Sequence, residues 1–350
     1  MTKKSQRVTL QDVALLAGVG SATVDRVIND RGNVSNEVRR KVLAAARDLG
    51  LKRILPSSYR RTLRVHVVLA RPERPLIPRI NDEFRRLGQR LGPSIIIQRT
   101  ILKHETPESM SAAMLATGFD AVVVANAPDD PLTRRAICDL AVRNVPVVTI
   151  ISDIPGSEQL AYAGIDHYKA GRSTGFFLDR MTRPGTSGKV IVLCFHQGNK
   201  GQSERIRGLT DQFAADASDL TVAEIAFGGD DAVLSEMRLK DAFRRHPDTA
   251  CIYNVGAGNR GVVAAIRAGI LREPPIFIGH ELTNFTWHSL KDGVMTLTID
   301  QSPELQTQYA IEVLMNHFGF EGATHAAPPY VSNVPIVLYG PQNLPDQPPG

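Results

Sequence analysis

Apolar residues recur along the first fifty positions with the period of a helix. Leu10, Val13, Ala14 and Ala17 stand at i, i+3, i+4 and i+7 and form one stripe. Val24, Val27 and Ile28 form a second, and Val38, Val42, Ala45, Ala46 and Leu49 a third. The punctuation agrees with the periods. Thr9 stands where an N-cap hydroxyl accepts the amide three residues on, and Asp12 puts a carboxylate in the first turn, where the helix dipole favours it. Gly18 supplies the permissive backbone of a tight turn, Ser35 caps the third stripe and Gly50 stops it. The spacing predicts helices over Thr9 to Ala17, over Ser21 to Asn29 and after Ser35. The first two make a helix-turn-helix that leaves Ala22, Asp25, Arg26 and Asn29 outside.

From Leu63 the period changes. Short runs rich in Val and Ile alternate with helical patterns, as a parallel α/β sheet requires when both its faces are covered. The expected strands are Arg64 to Leu69, Ser94 to Gln98, Asp120 to Val124, Pro146 to Ile150 and Ala161 to Ile165 in one half. Lys189 to Cys194, Thr221 to Phe227, Ala250 to Asn254, Pro275 to Gly279 and Val294 to Ile299 make the other. Two similar halves imply a cleft, lined by the loops that follow the carboxyl ends of the strands.

The expected fold class is therefore a small all-α helix-turn-helix headpiece followed by a two-lobed α/β domain with parallel, Rossmann-like sheets. The expected units are a headpiece and hinge over 1–61 and a ligand core over 62–340. Its N-lobe covers about 63–166 and 300–325, its C-lobe about 167–298 and 327–340, and 341–350 is a flexible tail.

Charge sharpens the first unit. Residues 1–61 hold thirteen Lys or Arg and five Asp or Glu, a surplus of eight, so the chain's total of +5 leaves −3 for the rest. Clustered cations beside a neutral core suit a module that holds a polyanion, since neutralising phosphates releases counterions. The basic N-terminus precedes no apolar run, and no segment reaches the roughly 18 apolar residues of a membrane helix, which places the protein in the cytoplasm. Cys138, Cys194 and Cys251 are widely spaced among apolar neighbours and read as buried free thiols.

The run from Val8 to Asn29, Val-Thr-Leu-Gln-Asp-Val-Ala-Leu-Leu-Ala-Gly-Val-Gly-Ser-Ala-Thr-Val-Asp-Arg-Val-Ile-Asn, resembles the headpiece signature of the lactose-repressor (LacI) family of transcription regulators. In that family the second helix lies in the major groove. The resemblance implies base reading by Ser21, Ala22 and Arg26 and phosphate contact by Thr23 and Asn29. Arg26 is the residue suited to a bidentate bond with guanine. Two positions depart from the pattern: Gly20 replaces a capping serine and Asp25 another serine.

Residues 63 to 340 resemble the type I periplasmic-binding-protein-like domain of the same family, which implies a carbohydrate-like effector, a sugar, polyol or sugar acid. The segment Gln202-Ser-Glu-Arg-Ile-Arg-Gly208 carries over Arg205 as a contact to sugar hydroxyls; Asn254, Glu281 and Gln301 match further polar contacts, and where relatives carry an Asp-Arg clamp this chain has Ile151-Ser152-Asp153, with Asp153 as the substitute one register later. Asp166 ends a strand near the crossover between lobes and reads equally well as structural. The aromatic pair that sugar-binding relatives place after the first-loop proline is absent: Pro75 is followed by Leu76 and Ile77, while Arg71, Glu73 and Arg74 charge that loop. The linker from Leu51 to Leu63 lacks the family's Ala-x-x-Leu hinge pattern.

One motif points elsewhere. Gly256-Ala-Gly-Asn-Arg-Gly261 is a complete GxGxxG after a strand, with Glu281 twenty positions beyond, the fingerprint of an NAD-linked enzyme. It follows a late strand rather than the first of the fold, and such an enzyme leaves the headpiece unexplained. The histidines form no catalytic or metal constellation, since Asn284 stands where His280-Glu281 would need a second histidine. The sequence thus predicts a non-enzymatic DNA-binding regulator, a homodimer on operator DNA, with no cofactor or metal. A soluble sugar-binding protein is the alternative.

Overall fold

The computed structural model describes residues 8–29, 31, 34–49, 51, 62–182, 188–196, 198–320 and 334–349. Most of the hinge expectation, the Gly50 stop and the end of the expected N-lobe segment lie outside the described residues.

The headpiece is α1 (Leu10–Ala17), α2 (Ser21–Ile28) and α3 (Asn36–Asp48). Its start is a reciprocal capping box: Thr9 Oγ1 accepts the Asp12 amide at 3.3 Å and the Asp12 carboxylate accepts the Thr9 amide at 2.8 Å. Gly18 sits at φ +64° and ends α1. The three predicted stripes meet, with Val13, Val24, Val27, Val42 and Ala46 fully buried. Truncating Val27 would remove roughly 1–2 kcal/mol from so small a core.

Two sheets follow. In the first, β1 (Leu63–Ala70), β2 (Ile95–Leu102), β3 (Ala121–Ala125), β4 (Val147–Ile150) and β5 (Ala161–Tyr162) are all parallel, in the order β2-β1-β3-β4-β5. Helix α4 (Leu76–Leu91) covers one face through Ile77, Ile80 and Phe84, while α5 (Pro107–Met114) and α6 (Pro131–Val142) cover the other.

The second sheet has the order β11-β10-β9-β8-β6-β7, from β6 (Gly188–Cys194), β7 (Leu220–Phe227), β8 (Thr249–Asn254), β9 (Ile276–His280), β10 (Leu297–Asp300) and β11 (Val337–Tyr339); only β11 runs antiparallel. Helices α7 (His167–Met181) and α8 (Lys200–Ala215) pack together on one side; α9 (Ala232–Arg245), α10 (Asn259–Arg267) and α11 (Asn284–Lys291) lie on the other. The chain crosses between lobes after β5 and again after β10. The second crossing sends α12 (Pro303–Phe318) back onto the first lobe, where Ala310, Ile311 and Leu314 join its core.

Every expected strand is present, with shifted ends. β2 runs on to Leu102 through the polar stretch Gln98, Arg99 and Thr100 of an edge strand, so an apolar run understates it. β5 stops at Tyr162, whose hydroxyl donates to the carbonyls of Ile151 and Ile165 and turns the chain toward the crossover. β11 was not expected.

Cys194 and Cys251 are buried, whereas Cys138, expected to be buried, is exposed. α6 turns Ala136, Ile137 and Leu140 inward, and Cys138, two residues from both Ala136 and Leu140, falls on the outer side of the helix. The 341–350 stretch, expected to be a flexible tail, packs over its described residues: Leu344 rests on the second lobe's core and Trp287 Nε1 donates to the Pro345 carbonyl at 2.9 Å.

Candidate functional site

The outer face of α2 carries Ser21, Ala22 and Arg26 exposed, with Thr23 and Asn29 half-buried at its edges. Gly20 offers no side chain to the first-turn amides; Thr23 donates its amide to the Gly20 carbonyl at 2.9 Å, and the amides of Ser21 and Ala22 face the end of the helix, where an outside acceptor such as a phosphate oxygen can reach them. Asp25 is held along the helix: Asn29 Nδ2 donates to its Oδ1 at 2.6 Å and Arg31 lies 3.6 Å away. The carboxylate departing from the family pattern is thereby partly neutralised, and Asn29 spends an amide proton on it.

The second feature is a cleft of about 480 Å³ between the lobes. In parallel sheets all carboxyl ends share one edge, so the loops after β1, β3, β4, β6, β7, β8, β9 and β10 converge there. Backbone strain marks the same place. Among the described residues eight non-glycines have left-handed φ, and five of them line the cleft: Arg71, Asn126, Ile151, Asp230 and Glu281. Ile151, β-branched at φ +69°, is the least comfortable. Its surroundings over-determine it: its amide donates to Gln306 Oε1 at 3.0 Å, and its carbonyl accepts from Tyr162 Oη at 3.0 Å and from His167 Nε2 at 2.7 Å.

That last bond fixes a tautomer. With Nε2 donating to Ile151, His167 Nδ1 is an acceptor, and Arg205 Nε donates to it at 3.2 Å. Burial, then the Arg205 cation, push His167 down to about 3, so it stays neutral. Arg205 itself is 4% exposed, and its Nη1 donates to the Val255 carbonyl at 2.6 Å. Burial holds its pKa below the ordinary arginine value, and among the described residues no carboxylate forms an ion pair with it. A buried guanidinium without a close counter-ion is poised to receive oxygen acceptors from a ligand.

Glu281, also lining the cleft, is pushed up to about 7 by burial and by the neighbouring Asp300. Gln301 Nε2 donates to its Oε1, while Glu281 Oε2 and Gln301 Oε1 are buried with no hydrogen-bond partner. Two buried acceptors beside an open space call for donors. Arg79 of α4 reaches across to this corner: it bonds Asp300, donates to the Leu282 carbonyl at 3.0 Å and lies 3.8 Å from Glu281. Burial opposes its charge, but Asp300, Glu281 and Glu304 outweigh burial and keep it protonated.

On the opposite side of the cleft Arg74 spans the lobes, with Glu105 at 2.6 Å and Asp230 at 3.1 Å, and Lys200 meets Asp129 at 3.5 Å. The lobes are therefore clasped by the protein's own ion pairs.

Of the five sequence-expected ligand residues, Arg205, Glu281 and Gln301 line the cleft together. Asn254 and Asp153 do not. Asn254 is fully buried behind it, donating to Asn259 Oδ1 at 2.6 Å and accepting the Gly256 amide at 3.3 Å. Asp153 turns to accept Gln159 Nε2 at 2.6 Å, one register past the lining Ser152. Asp166 caps α7, accepting the Lys169 amide at 2.9 Å.

Sequence reasoning missed Asn126, Ser152, His167, Gln202, Asn259 and Arg79 as lining residues. The signal that could have found the first two is a short polar residue immediately after an apolar strand. Arg79 carries no such mark within its helix.

The GxGxxG turn is filled from within. A Cβ on Gly256 would lie 2.4 Å from Gln202 Nε2, and one on Gly261 2.4 Å from the Ala232 carbonyl oxygen; Gly258 has φ +96°. The Ala257 amide donates to Asp230 Oδ1 at 3.1 Å, so the protein's own carboxylate sits where a dinucleotide cradle would hold phosphate. The glycines serve packing. Among the described residues no group of three His, Cys, Asp or Glu could hold a metal ion.

Residues 9–53 match the model of the bacterial regulatory proteins of the lacI family, and residues 78–322 match that of the periplasmic binding protein domain. The chain belongs to the lacI family of bacterial regulatory proteins. This lacI-family chain is 45% identical over 64 residues to the sucrose operon repressor of Klebsiella pneumoniae, covering 17% of this chain and 18% of that one. It is 38% identical over 90 residues to the ribose operon repressor of Bacillus subtilis, covering 24% and 28%. These alignments span less than a third of either relative. In fold the lacI-family chain resembles a glucose-galactose binding protein from Geobacillus stearothermophilus, at TM-score 0.71 and 20% identity over 82% of this chain and all of that one. A solute binding protein from Burkholderia graminis in complex with D-arabinose matches at TM-score 0.70 and 16% identity over 83% and 99%. No helix among the described residues is long and apolar enough to cross a membrane.

Proposed function

We propose that this protein is a transcriptional repressor that reads a two-fold-related operator through Ser21, Ala22 and Arg26, steadied on phosphate by Thr23 and Asn29. A small carbohydrate-like effector bound between the lobes sets its affinity for DNA. The observation that carries the effector reading is the juxtaposition of Arg205 with two buried acceptors that lack a hydrogen-bond partner, Glu281 Oε2 and Gln301 Oε1. A polyhydroxylated molecule supplies both needs, since each hydroxyl accepts from a guanidinium and donates to a carboxylate or amide oxygen. The effector shifts headpiece spacing only if it binds the open and clasped arrangements with different affinity.

The protein acts without catalysis and in the cytoplasm. It works as a homodimer. Both sheets end in exposed edge strands bearing apolar side chains, Ile96 and Ile101 on β2 and Ile225 and Phe227 on β7, surfaces that a second copy would cover. A soluble binding protein without a DNA target would leave the basic headpiece idle.

The test is recovery of genomic fragments bound by the purified protein at physiological salt, repeated with D-ribose, D-arabinose and sucrose added. A shared palindromic motif whose capture changes with one sugar is expected. Absence of any enriched motif would overturn the regulator reading, and enrichment indifferent to every sugar, polyol and sugar acid tried would overturn the effector class.

A further inference from the structure

The segment after β11 leads back to the cleft. Gly340 donates to Asn343 Oδ1 at 2.8 Å, and Asn343 Nδ2 donates to the Leu338 carbonyl at 2.8 Å, which closes a turn beyond the strand. Leu344 then packs on the core cluster that holds Trp287 and Leu290, and the Trp287 indole is bonded to the Pro345 carbonyl. From that pin the chain runs through Asp346, Gln347 and Pro348 to Pro349, a half-buried residue that lines the cleft. Prolines have φ set in advance, so a Pro-Pro pair holds an extended direction at little entropic cost and without ladder bonds.

The wall that Pro349 joins has a definite chemistry. Phe285 lines the same cleft, with the exposed Arg260 guanidinium 4.4 Å above its ring. The first-loop position where relatives carry an aromatic pair holds Leu76 and Ile77 here. An apolar surface for the C–H face of a sugar ring is thus supplied from the second lobe, by a phenyl and a pyrrolidine ring.

We infer that residues 344–349 are a strap, pinned by Leu344 and Trp287, that covers the mouth of the cleft and forms its outer apolar wall. The strap thereby controls which effectors enter. The covering role stands on the contacts above; the selection role rests on the effector reading of the cleft.

Hydrogen exchange on the full-length protein without added sugar tests the cover. Trp287→Phe removes only the indole donor and keeps a ring in the core; Leu344→Ser removes the second pin. In both, the amides of 342–347, of 258–260 and of 283–286 exchange at least about fivefold faster than in the wild type, while β6 and β8 stay as protected as before. Unchanged exchange at the cleft amides in both variants, with β6 and β8 protected, would overturn the strap.

Calorimetry with D-ribose, D-arabinose, D-galactose and D-galacturonate tests selection. Pro349→Ala changes the affinity ratio between a pentose and a hexose that bind the wild type by at least about threefold, and an unaltered ratio overturns the selection role. If none of the four probes protects the wild-type cleft amides, the effector reading fails, and the exchange comparison still decides the cover by itself.

Discussion

The headpiece and the cleft handle recognition in opposite ways. On α2 the side chains proposed to read bases, Ser21, Ala22 and Arg26, stand exposed on one short helix. In the cleft the proposed polar contacts Arg205, Glu281 and Gln301 are buried and tied into a network: Arg205 leans on His167, His167 on Ile151, Ile151 on Gln306, and Gln306 Nε2 donates to the Gln301 carbonyl at 2.9 Å. The difference teaches where specificity resides. An exposed side chain can be exchanged with little effect on the fold, so one residue can retune which base is read. A buried network ties ligand contact to the arrangement of the lobes, so its members report binding as well as perform it.

The sharpest way to break this comparison is to remove one member from each side. Arg205→Ala leaves His167 Nδ1 and the Val255 carbonyl without their donor, and thermal unfolding should register a loss of about 2–4 kcal/mol. It also abolishes the response to effector while operator binding without effector persists. Unfolding unchanged by this substitution would mean the network carries no stability.

Arg26→Ala should weaken operator binding by roughly 1–3 kcal/mol, concentrated at one base position, with stability altered by less than about 0.5 kcal/mol. A uniform loss at every base would instead identify Arg26 as a phosphate contact.

A smaller effect separates the two sites by pH. Glu281 is raised to about 7 from an ordinary 4.5, so between these values the free cleft holds a proton that the unfolded chain has released. Its contribution to stability is present below about 4.5 and is lost as pH rises through about 7. An effector hydroxyl donating to the ionised carboxylate favours loss of the proton, so effector affinity climbs toward pH 7 and levels off above it. In Glu281→Gln the climb is gone. An affinity measured as flat from pH 5 to 8 in the wild type would exclude Glu281 as the acceptor.

The mildest test concerns Asp25. Its replacement by serine removes an exposed carboxylate from the DNA-facing helix and should strengthen operator binding about two- to fivefold, in keeping with one solvent-screened charge. No gain would show that the Arg31 cation already offsets its charge.

How much of this was legible follows from distance along the chain. The headpiece helices, the Thr9 cap and the Gly18 turn depend on residues within four positions of one another, and they were read directly, whereas the return bond from the Thr9 amide to the Asp12 carboxylate was not. The strands of both lobes were legible for the same reason, except β11, whose three residues make no pattern until β10 pairs with them. Arg205, Glu281 and Gln301 were found through resemblance and converge in space. Asn254 and Asp153 were carried over on the same grounds and turn aside, because a hydrogen bond to Asn259 or Gln159 decides the rotamer. The clasp of Arg74 on Asp230 and of Arg79 on Asp300 joins positions more than 150 residues apart and leaves no local trace.

By itself, then, the sequence determined the three-helix unit, its basic charge, the alternating α/β order and the residue types available for hydroxyl recognition. These depend on periodicity and composition, which act locally. Tertiary structure alone decided which polar groups lose their partners at the cleft, which arginines bridge the lobes, and that the proline-rich stretch after β11 returns to the cleft mouth. Desolvation and pairing across long separations depend on where the chain brings its parts together.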